Sequence, residues 1–224
     1  MKEAVKQVSP LVERFERNID AYHSPAYNET QLRREFIDPF FEALGWDVAN
    51  KAGYAEQYKD VIHEDAIKIA GATKAPDYCF RIGGVRKFFL ETKKPSVDIK
   101  GQTSPAYQLR RYAWSAKLPL SILTDFEEIA IYDCRLRPKL SDKPSIGRIR
   151  FYTYNQYLDS FEEIYNLLSK DAVLKGSFDK FAGSERQKRG TTKTVEKFVG
   201  AVHRGSPEED THRGVPIYLY ILTS

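Results

Sequence analysis

The stretch from Pro76 to Lys93 constrains the fold more than any other part of this sequence. Two runs rich in branched and aromatic residues flank Gly83-Gly84, which predicts two strands joined as a β-hairpin. Successive side chains of a strand point to opposite faces, so the register between the strands decides which side chains share a face. A plain two-residue turn would set Asp77 opposite Leu90 and mix charged with apolar side chains. Because burying charge is costly, we expect a three-residue loop, Gly83 to Val85, or an equivalent bulge.

In that register Asp77 lies opposite Glu91, and Lys93 joins them at the open end of the hairpin. The apolar side chains of both strands then share the other face: Tyr78, Phe80, Ile82, Phe88 and Leu90. Two neighbouring carboxylates repel each other unless a hard cation lies between them. Mg²⁺ suits such a site, because it binds carboxylates, a main-chain carbonyl and water. The carbonyl of Thr92 is placed to be that ligand.

These residues predict metal-dependent hydrolysis of a phosphodiester. A bound Mg²⁺ lowers the pKa of a water ligand and stabilises charge on a phosphoryl oxygen. Lys93 is placed to orient or help deprotonate the attacking water, or to neutralise the phosphorus centre. The alternative interpretation is a solvated strand face, because an acid and a lysine two residues apart are common there and occur again at Asp98-Ile99-Lys100.

Apolar periodicity predicts helices on both sides of the hairpin. Ser9-Pro10 is typical of a helix start, so the first helix is expected over about residues 10 to 22. Asn28 and Gln31 form a capping-box pair for a second helix, and the proline at position 39 predicts a kink or break near Ile37.

Short runs of branched and aromatic residues predict further strands at Val61-Ile62, Ile67–Ala70, Leu118–Leu123, Glu128–Tyr132 and Arg148–Tyr152. Two more helices are expected, over about residues 105 to 116 and from Tyr157 to about Leu168. Helices before, between and after strands are typical of an α/β layer architecture.

Composition and motifs exclude several functional classes. The 35 basic and 31 acidic residues leave a net charge of +4, which permits a polyanionic partner if the basic residues cluster on one face. No phosphate loop, dinucleotide fingerprint, HExxH or GxSxG motif occurs, which argues against ATP motors, dinucleotide enzymes, zincins and common serine hydrolases. Two cysteines, no secretory signal and no long apolar stretch lead us to expect a cytoplasmic protein without a membrane span.

Pro76-Asp77, followed after a glycine turn by Glu91-Thr92-Lys93, resembles the PD-(D/E)XK nuclease motif. The segment from Asn28 to Trp46 resembles the opening helix of the nuclease domain in type I restriction subunits and type IIG restriction–modification enzymes. Two further segments, 91–98 and 176–181, favour the type IIG branch, and the likeness covers about residues 5–195. It implies a restriction-endonuclease-like fold, a mixed β-sheet flanked by helices. It also implies an endonuclease domain of a restriction–modification system that uses Mg²⁺, with Mn²⁺ as a substitute, on double-stranded DNA.

The resemblance adds candidate residues outside the hairpin. Glu29 matches a first-helix carboxylate that reaches the metal through water, although a favourable charge in the first turn of a helix is the alternative. Gln108 and Tyr112 match a QxxxY element and share one helix face, where they would contact DNA; for Tyr112 the alternative is packing in the core. The residues themselves, apart from the resemblance, lead us to expect that Arg111 and Lys94 contact phosphates. The same basic surface would include Arg110, Trp114 and Lys100, unless this is a solvated charged helix.

These expectations set the domain organisation and the partners. Residues 1–182 are predicted to be the nuclease domain, and residues 183–224 a polar linker and C-terminal tail, truncated or poorly ordered. A methyltransferase or specificity domain or subunit is expected from outside this sequence, and a homodimer is expected because double-strand cleavage needs two cuts. The alternatives are a catalytically inactive DNA-binding module of the same fold and a protein-interaction domain.

Overall fold

The computed structural model describes residues 1–69 and 71–180 of the chain. They belong to the first of its two units, Met1–Ser184. The predicted linker and tail at 183–224 lie outside the described residues.

Helices and strands alternate along the described residues. The helices are α1 (Lys2–Arg17), α2 (Ile19–Tyr22), α3 (Glu29–Leu32), α4 (Asp38–Ala43), α5 (Thr103–Ser115), α6 (Phe161–Leu168) and α7 (Lys170–Leu174), with a π-helical segment at Arg33–Ile37. The strands are β1 (Val61–His63), β2 (Ile67–Ile69), β3 (Ala72–Lys74), β4 (Tyr78–Ile82), β5 (Val85–Thr92), β6 (Leu120–Thr124), β7 (Glu128–Asp133) and β8 (Arg148–Thr153). Short 3₁₀ turns cover Glu56–Tyr58 and Tyr154–Gln156.

The first helix begins at Lys2, so the prediction of a start at Ser9-Pro10 was wrong. Its buried side chains recur every three to four residues from well before the proline: Ala4, Val8, Leu11, Val12 and Phe15. This continuous apolar stripe packs against the core and outweighs the one backbone hydrogen bond that Pro10 removes. The Ser9 hydroxyl donates to Glu13, 3.1 Å away, instead of capping a helix.

The chain between α3 and α4 changes helix type at the predicted kink. Asn28 caps α3 through the expected capping box. The π-helical segment Arg33–Ile37 follows, and Pro39 lies in the first turn of α4. Proline has no N–H to offer the carbonyl of Glu35 four residues earlier, and that carbonyl instead accepts a hydrogen bond from the guanidinium of Arg14.

Other element boundaries differ modestly from prediction. β4 and β5 have the expected bounds. β6 begins two residues late because the Leu118 N–H donates to the Ala113 carbonyl, 2.9 Å away, and so belongs to the end of α5. The sequence did not indicate β3 or α7, since three to five residues are too few to show a period.

The described strands form a six-stranded mixed sheet in the order β1-β4-β5-β6-β7-β8, and β2 and β3 form a separate antiparallel pair. β5 and β6 are parallel, and the other neighbours in the large sheet are antiparallel. A parallel pair needs a crossover connection, and α5 supplies it. This arrangement confirms the predicted α/β architecture.

The hairpin reaches its expected register through a bulge. Ile82 pairs with Val85 across the two-glycine turn, and the register then shifts so that Tyr78 pairs with Leu90. The extra residue on β5 is Lys87. A two-residue turn with a bulge therefore gives the same pairing as a three-residue loop. The bulge is the second of the two solutions that the sequence predicted.

Apolar clusters cover both faces of the sheet. One cluster joins α1, α4 and α6 to the predicted apolar face of the hairpin, which consists of Tyr78, Phe80, Phe88 and Leu90. Ile82, the fifth residue predicted for this face, is partly buried and packs against the cluster. The other joins Cys79 and Phe89 to α5. Alternation along β5 puts Glu91 on the face of Phe89, so its carboxylate lies beneath α5. None of the described helices is long and apolar enough to cross a membrane.

Candidate active site

The open end of the hairpin holds the predicted catalytic residues. Asp77 precedes β4, and continuing the register by one pair sets it opposite Glu91 near the end of β5. Lys93 follows the strand, and its backbone N–H donates to the Thr124 carbonyl of the parallel neighbour β6, 3.0 Å away. Pairing on both sides fixes the backbone from which these side chains project.

The Glu91 carboxylate is buried, with 2% of the residue exposed. Its Oε1 accepts hydrogen bonds from the Lys93 amine at 2.9 Å and from the Gln108 amide at 2.5 Å. Its Oε2 has no hydrogen-bond partner of normal geometry among the described residues. Burial and then the Asp77 carboxylate raise the pKa of Glu91 to about 7, against the opposing effects of Lys93 and of the Asp77 backbone N–H.

The Lys93 amine lies between two of the predicted metal ligands. It donates to Glu91 Oε1 and to the Thr92 carbonyl, both at 2.9 Å. Burial lowers the pKa of this amine, but the attraction of Glu91, Glu29 and Asp77 outweighs it, so the pKa is raised. Lys93 therefore stays protonated at neutral pH and acts as a cation and hydrogen-bond donor.

The Asp77 carboxylate accepts three hydrogen bonds at its two oxygens. Oδ2 accepts from the backbone N–H and the hydroxyl of Thr92, both at 2.7 Å. Oδ1 accepts from the guanidinium of Arg33 at 2.5 Å. These donors hold Asp77 at the end of β5, next to Glu91.

Arg33 is a site residue that the sequence reasoning missed. Its Nε donates to the Thr92 hydroxyl at 2.9 Å while its NH2 group contacts Asp77, and Glu29 lies 3.8 Å away as an ion pair. Glu29 and Arg33 are four residues apart and so share a helix face, but this spacing does not indicate which strand that face meets. Glu29 thus lies at the edge of the site, with its side chain 37% exposed.

Helix α5 contributes differently from what was expected. Gln108 reaches the Glu91 carboxylate. Tyr112 is 8% exposed and packs in the cluster beneath α5. Burial raises the pKa of its phenol, and the Glu91 carboxylate raises it further. Arg111 is half-buried. The prediction that Arg110 belongs to a DNA-facing surface was wrong, because Arg110 is 1% exposed and pairs with Asp142 at 2.9 Å.

The remaining predicted surface residues have different neighbours. Lys94 lines an open groove of ≈ 670 Å³ together with Asn28, Glu29 and Arg33. Trp114 is exposed, with the guanidinium of Arg137 stacked 5.4 Å from its ring centre. The exposed Lys100 lies over the Phe151 ring at 5.2 Å.

The site has the oxygen donors of a hard-cation site, though few of them. Within residues 1–69 and 71–180, no group of three or more His, Cys, Asp or Glu side chains is placed to hold a metal ion. Two carboxylates and one carbonyl with water ligands are the donor set that Mg²⁺ accepts. The unpartnered, buried Glu91 Oε2 is consistent with a cation at this place.

Known proteins are similar in sequence to the part of the chain that holds this site. Residues 59–140, which contain the hairpin and α5, match the family "Type I restriction enzyme R protein N terminus". Over 175 residues, 77% of this chain, the sequence is 45% identical to the type II restriction enzyme and methyltransferase RM.Eco57I of Escherichia coli. The chain covers 18% of that relative.

A solved structure of the DrdV–DNA complex, determined by cryo-electron microscopy, is 13% identical, with a TM-score of 0.42 over 76% of this chain and 98% of that chain. At that level of similarity nothing follows about the site. The predicted resemblance is confirmed by the two sequence matches: the described domain is similar to the N terminus of the type I R protein and to part of RM.Eco57I.

Proposed function

We propose that this domain is a Mg²⁺-dependent DNA endonuclease, which hydrolyses phosphodiester bonds as part of a restriction–modification system. The similarity to a protein that is both a type II restriction enzyme and a methyltransferase supports the proposed role in a restriction–modification system. The proposal includes Mn²⁺ as a substitute metal, double-stranded DNA as substrate, a methyltransferase or specificity region beyond this chain, a homodimer for cutting both strands, and a cytoplasmic location.

The observation that carries the proposal is the buried Glu91 carboxylate with one oxygen unpartnered, beside Asp77 and bonded to Lys93. A solvated strand face would expose this carboxylate to water, whereas the residue is 2% exposed. Burying a carboxylate beside another is costly unless a positive charge compensates it. This arrangement therefore favours a built site over an incidental acid-x-Lys pair.

The roles follow from the contacts of each side chain. Asp77, Glu91 and the Thr92 carbonyl would hold Mg²⁺, which when bound lowers the pKa of a water ligand and stabilises charge on a phosphoryl oxygen. Lys93, kept protonated by its acidic neighbours, donates a hydrogen bond and offers positive charge to the phosphate. Gln108 orients Glu91 through Oε1.

DNA contact is proposed for Lys94, Arg111 and Gln108. Lys94 and Arg111 are partly exposed, so their charges can neutralise phosphates without reading bases. Gln108 would act close to the scissile phosphate, since its amide donates to Glu91. Such binding would weaken steeply as salt increases. The 8% exposure of Tyr112 favours the alternative expectation for that residue, packing in the core.

The test is nicking of supercoiled plasmid in the presence of Mg²⁺. We expect Lys93→Ala to lower the rate by about 100-fold or more, as for removal of a donor that stabilises transition-state charge. Lys74→Ala removes an equal charge from an exposed position on β3 and should leave the rate unchanged. Equal rates in the wild-type protein and Lys93→Ala would reject the assignment of Lys93.

A second candidate function is a DNA-binding module that does not cleave. One observation favours it: the protein's own cations, Lys93 and Arg33, form ion pairs with Glu91 and Asp77. It predicts salt-dependent DNA binding that survives Lys93→Ala, with no cleavage in Mg²⁺ or Mn²⁺. Metal-dependent cleavage by the wild-type protein would exclude it.

A further inference from the structure

We propose that Arg33 is a positioning residue that fixes the Asp77 carboxylate, and that Glu29 acts on the site through Arg33 rather than by contacting a metal. The inference rests on the proposed function, because it concerns the shape of the proposed metal site. It assigns Arg33 a role that the sequence pattern did not suggest.

Arg33 contacts both Asp77 and Thr92, the residue that donates to the other Asp77 oxygen. Its NH2 group contacts Asp77 Oδ1 at 2.5 Å, and its Nε contacts the Thr92 hydroxyl at 2.9 Å. That hydroxyl in turn donates to Asp77 Oδ2. The three side chains form a closed ring of hydrogen bonds, which leaves the carboxylate little freedom to rotate.

The ring lies in a partly shielded place. The side chains of Arg33 and Asp77 are 22% and 15% exposed, and Thr92 is fully buried. The Arg33 guanidinium also lies 6.0 Å from the centre of the Tyr78 ring. Reduced contact with water strengthens the charged hydrogen bonds relative to those of a surface ion pair.

Backbone geometry places Arg33 here. It is the first residue of the π-helical segment that follows α3, and so it lies on the same helix face as Glu29, four residues earlier. Glu29, one turn earlier, lies 3.8 Å from the Arg33 NH2 group. This is the contact through which Glu29 can influence Asp77.

Lysine cannot replace Arg33 in this role. The planar guanidinium presents Nε and NH2 in a fixed fork that contacts Thr92 and Asp77 together, whereas an ammonium is a single flexible point charge. Arg33→Lys therefore separates positioning from charge. If Arg33 acted by charge alone, lysine would rescue its loss.

The first experiment measures Mn²⁺ affinity by calorimetry, without DNA, on folded protein. We expect Arg33→Met and Arg33→Lys each to weaken Mn²⁺ binding about 10-fold, the size of effect typical for residues that orient metal ligands. Arg34→Met, at the exposed neighbouring position, is the matched control and should not change binding. Mn²⁺ binding that is unchanged or tighter in Arg33→Met would overturn the proposal, since a guanidinium that merely competes with the metal gives that result.

Glu29 is tested in the same titration. We expect Glu29→Gln to weaken Mn²⁺ binding by no more than about threefold, because a long, exposed ion pair contributes little. The double variant Glu29→Gln/Arg33→Met should match Arg33→Met alone. A loss in Glu29→Gln that adds in full to that of Arg33→Met would show that Glu29 acts directly and would reject this part of the proposal.

A second experiment does not depend on a metal. Urea unfolding of Arg33→Met, Asp77→Asn and the double variant gives the coupling between the two side chains, expected at about 10-fold in the unfolding equilibrium constant. If the wild-type protein binds no Mn²⁺, the proposed function fails, while this coupling still decides whether Arg33 holds Asp77. Independent, additive effects would overturn the inference.

Discussion

The buried Glu91 carboxyl makes the stability of the metal-free domain depend on pH. Its pKa is about 7 in the folded chain and near 4.5 when unfolded, because burial and then Asp77 disfavour the charged form. The folded state therefore binds more protons between these two values. The free energy of unfolding must fall as pH rises through this range, which is the direction for a carboxyl whose pKa is raised by folding.

The magnitude follows from the same two values. Linkage gives a loss of about 2 kcal/mol in the free energy of unfolding between about pH 5.5 and about pH 8 from this one group. Glu91→Gln removes the titration but keeps an oxygen to accept from Gln108. The stability of Glu91→Gln relative to the wild-type protein should thus rise with pH by about that amount.

Urea unfolding at several pH values, with a chelator to remove metal ions, measures this difference. Titrating groups that do not interact with Glu91 are common to both proteins and cancel in the comparison. Glu3→Gln, an exposed carboxyl on α1, is the control and should give a curve parallel to that of the wild-type protein. A difference between Glu91→Gln and wild type that does not change with pH would refute the reasoning.

Three further results are expected. Titration of Mg²⁺ into the wild-type protein at about pH 6 should release on the order of one proton, because the Glu91 carboxyl, whose pKa is raised, must ionise to bind the metal. Calorimetry in buffers of different ionisation enthalpy measures this release, and Glu91→Gln should release none. Gly84→Ala should cost about 1–3 kcal/mol in urea unfolding, because a Cβ at φ +77° would lie 2.9 Å from the Gln57 carbonyl, and an unchanged midpoint would contradict this. Asn28→Ala should cost about 1 kcal/mol through loss of the α3 cap, seen as a lower melting temperature; no decrease would show that the cap contributes nothing.

The local sequence pattern was sufficient to predict the hairpin and its register. Alternation along two strands allows few registers once charge is excluded from the core, so the bulge solution and the Asp77–Glu91 pairing follow from about twenty residues. The same is true of the α3 cap and of the break before Pro39, which depend on chemistry within one helical turn. The first helix shows where local patterns are insufficient. Ser9-Pro10 predicted a helix start, but the apolar stripe that packs on the core extends the helix back to Lys2.

By itself the sequence determined the α/β class, the hairpin and the meeting of Asp77, Glu91 and Lys93, because each depends on side-chain alternation or on neighbours along the chain. Tertiary structure alone decided that Arg33 holds Asp77 across 44 residues, that Gln108 contacts Glu91 rather than solvent, and that Arg110 is buried against Asp142. The physical reason is that helices α3 and α5 reach the end of β5 only when they pack on opposite faces of the sheet. No local period encodes which of their polar side chains then points at the strand.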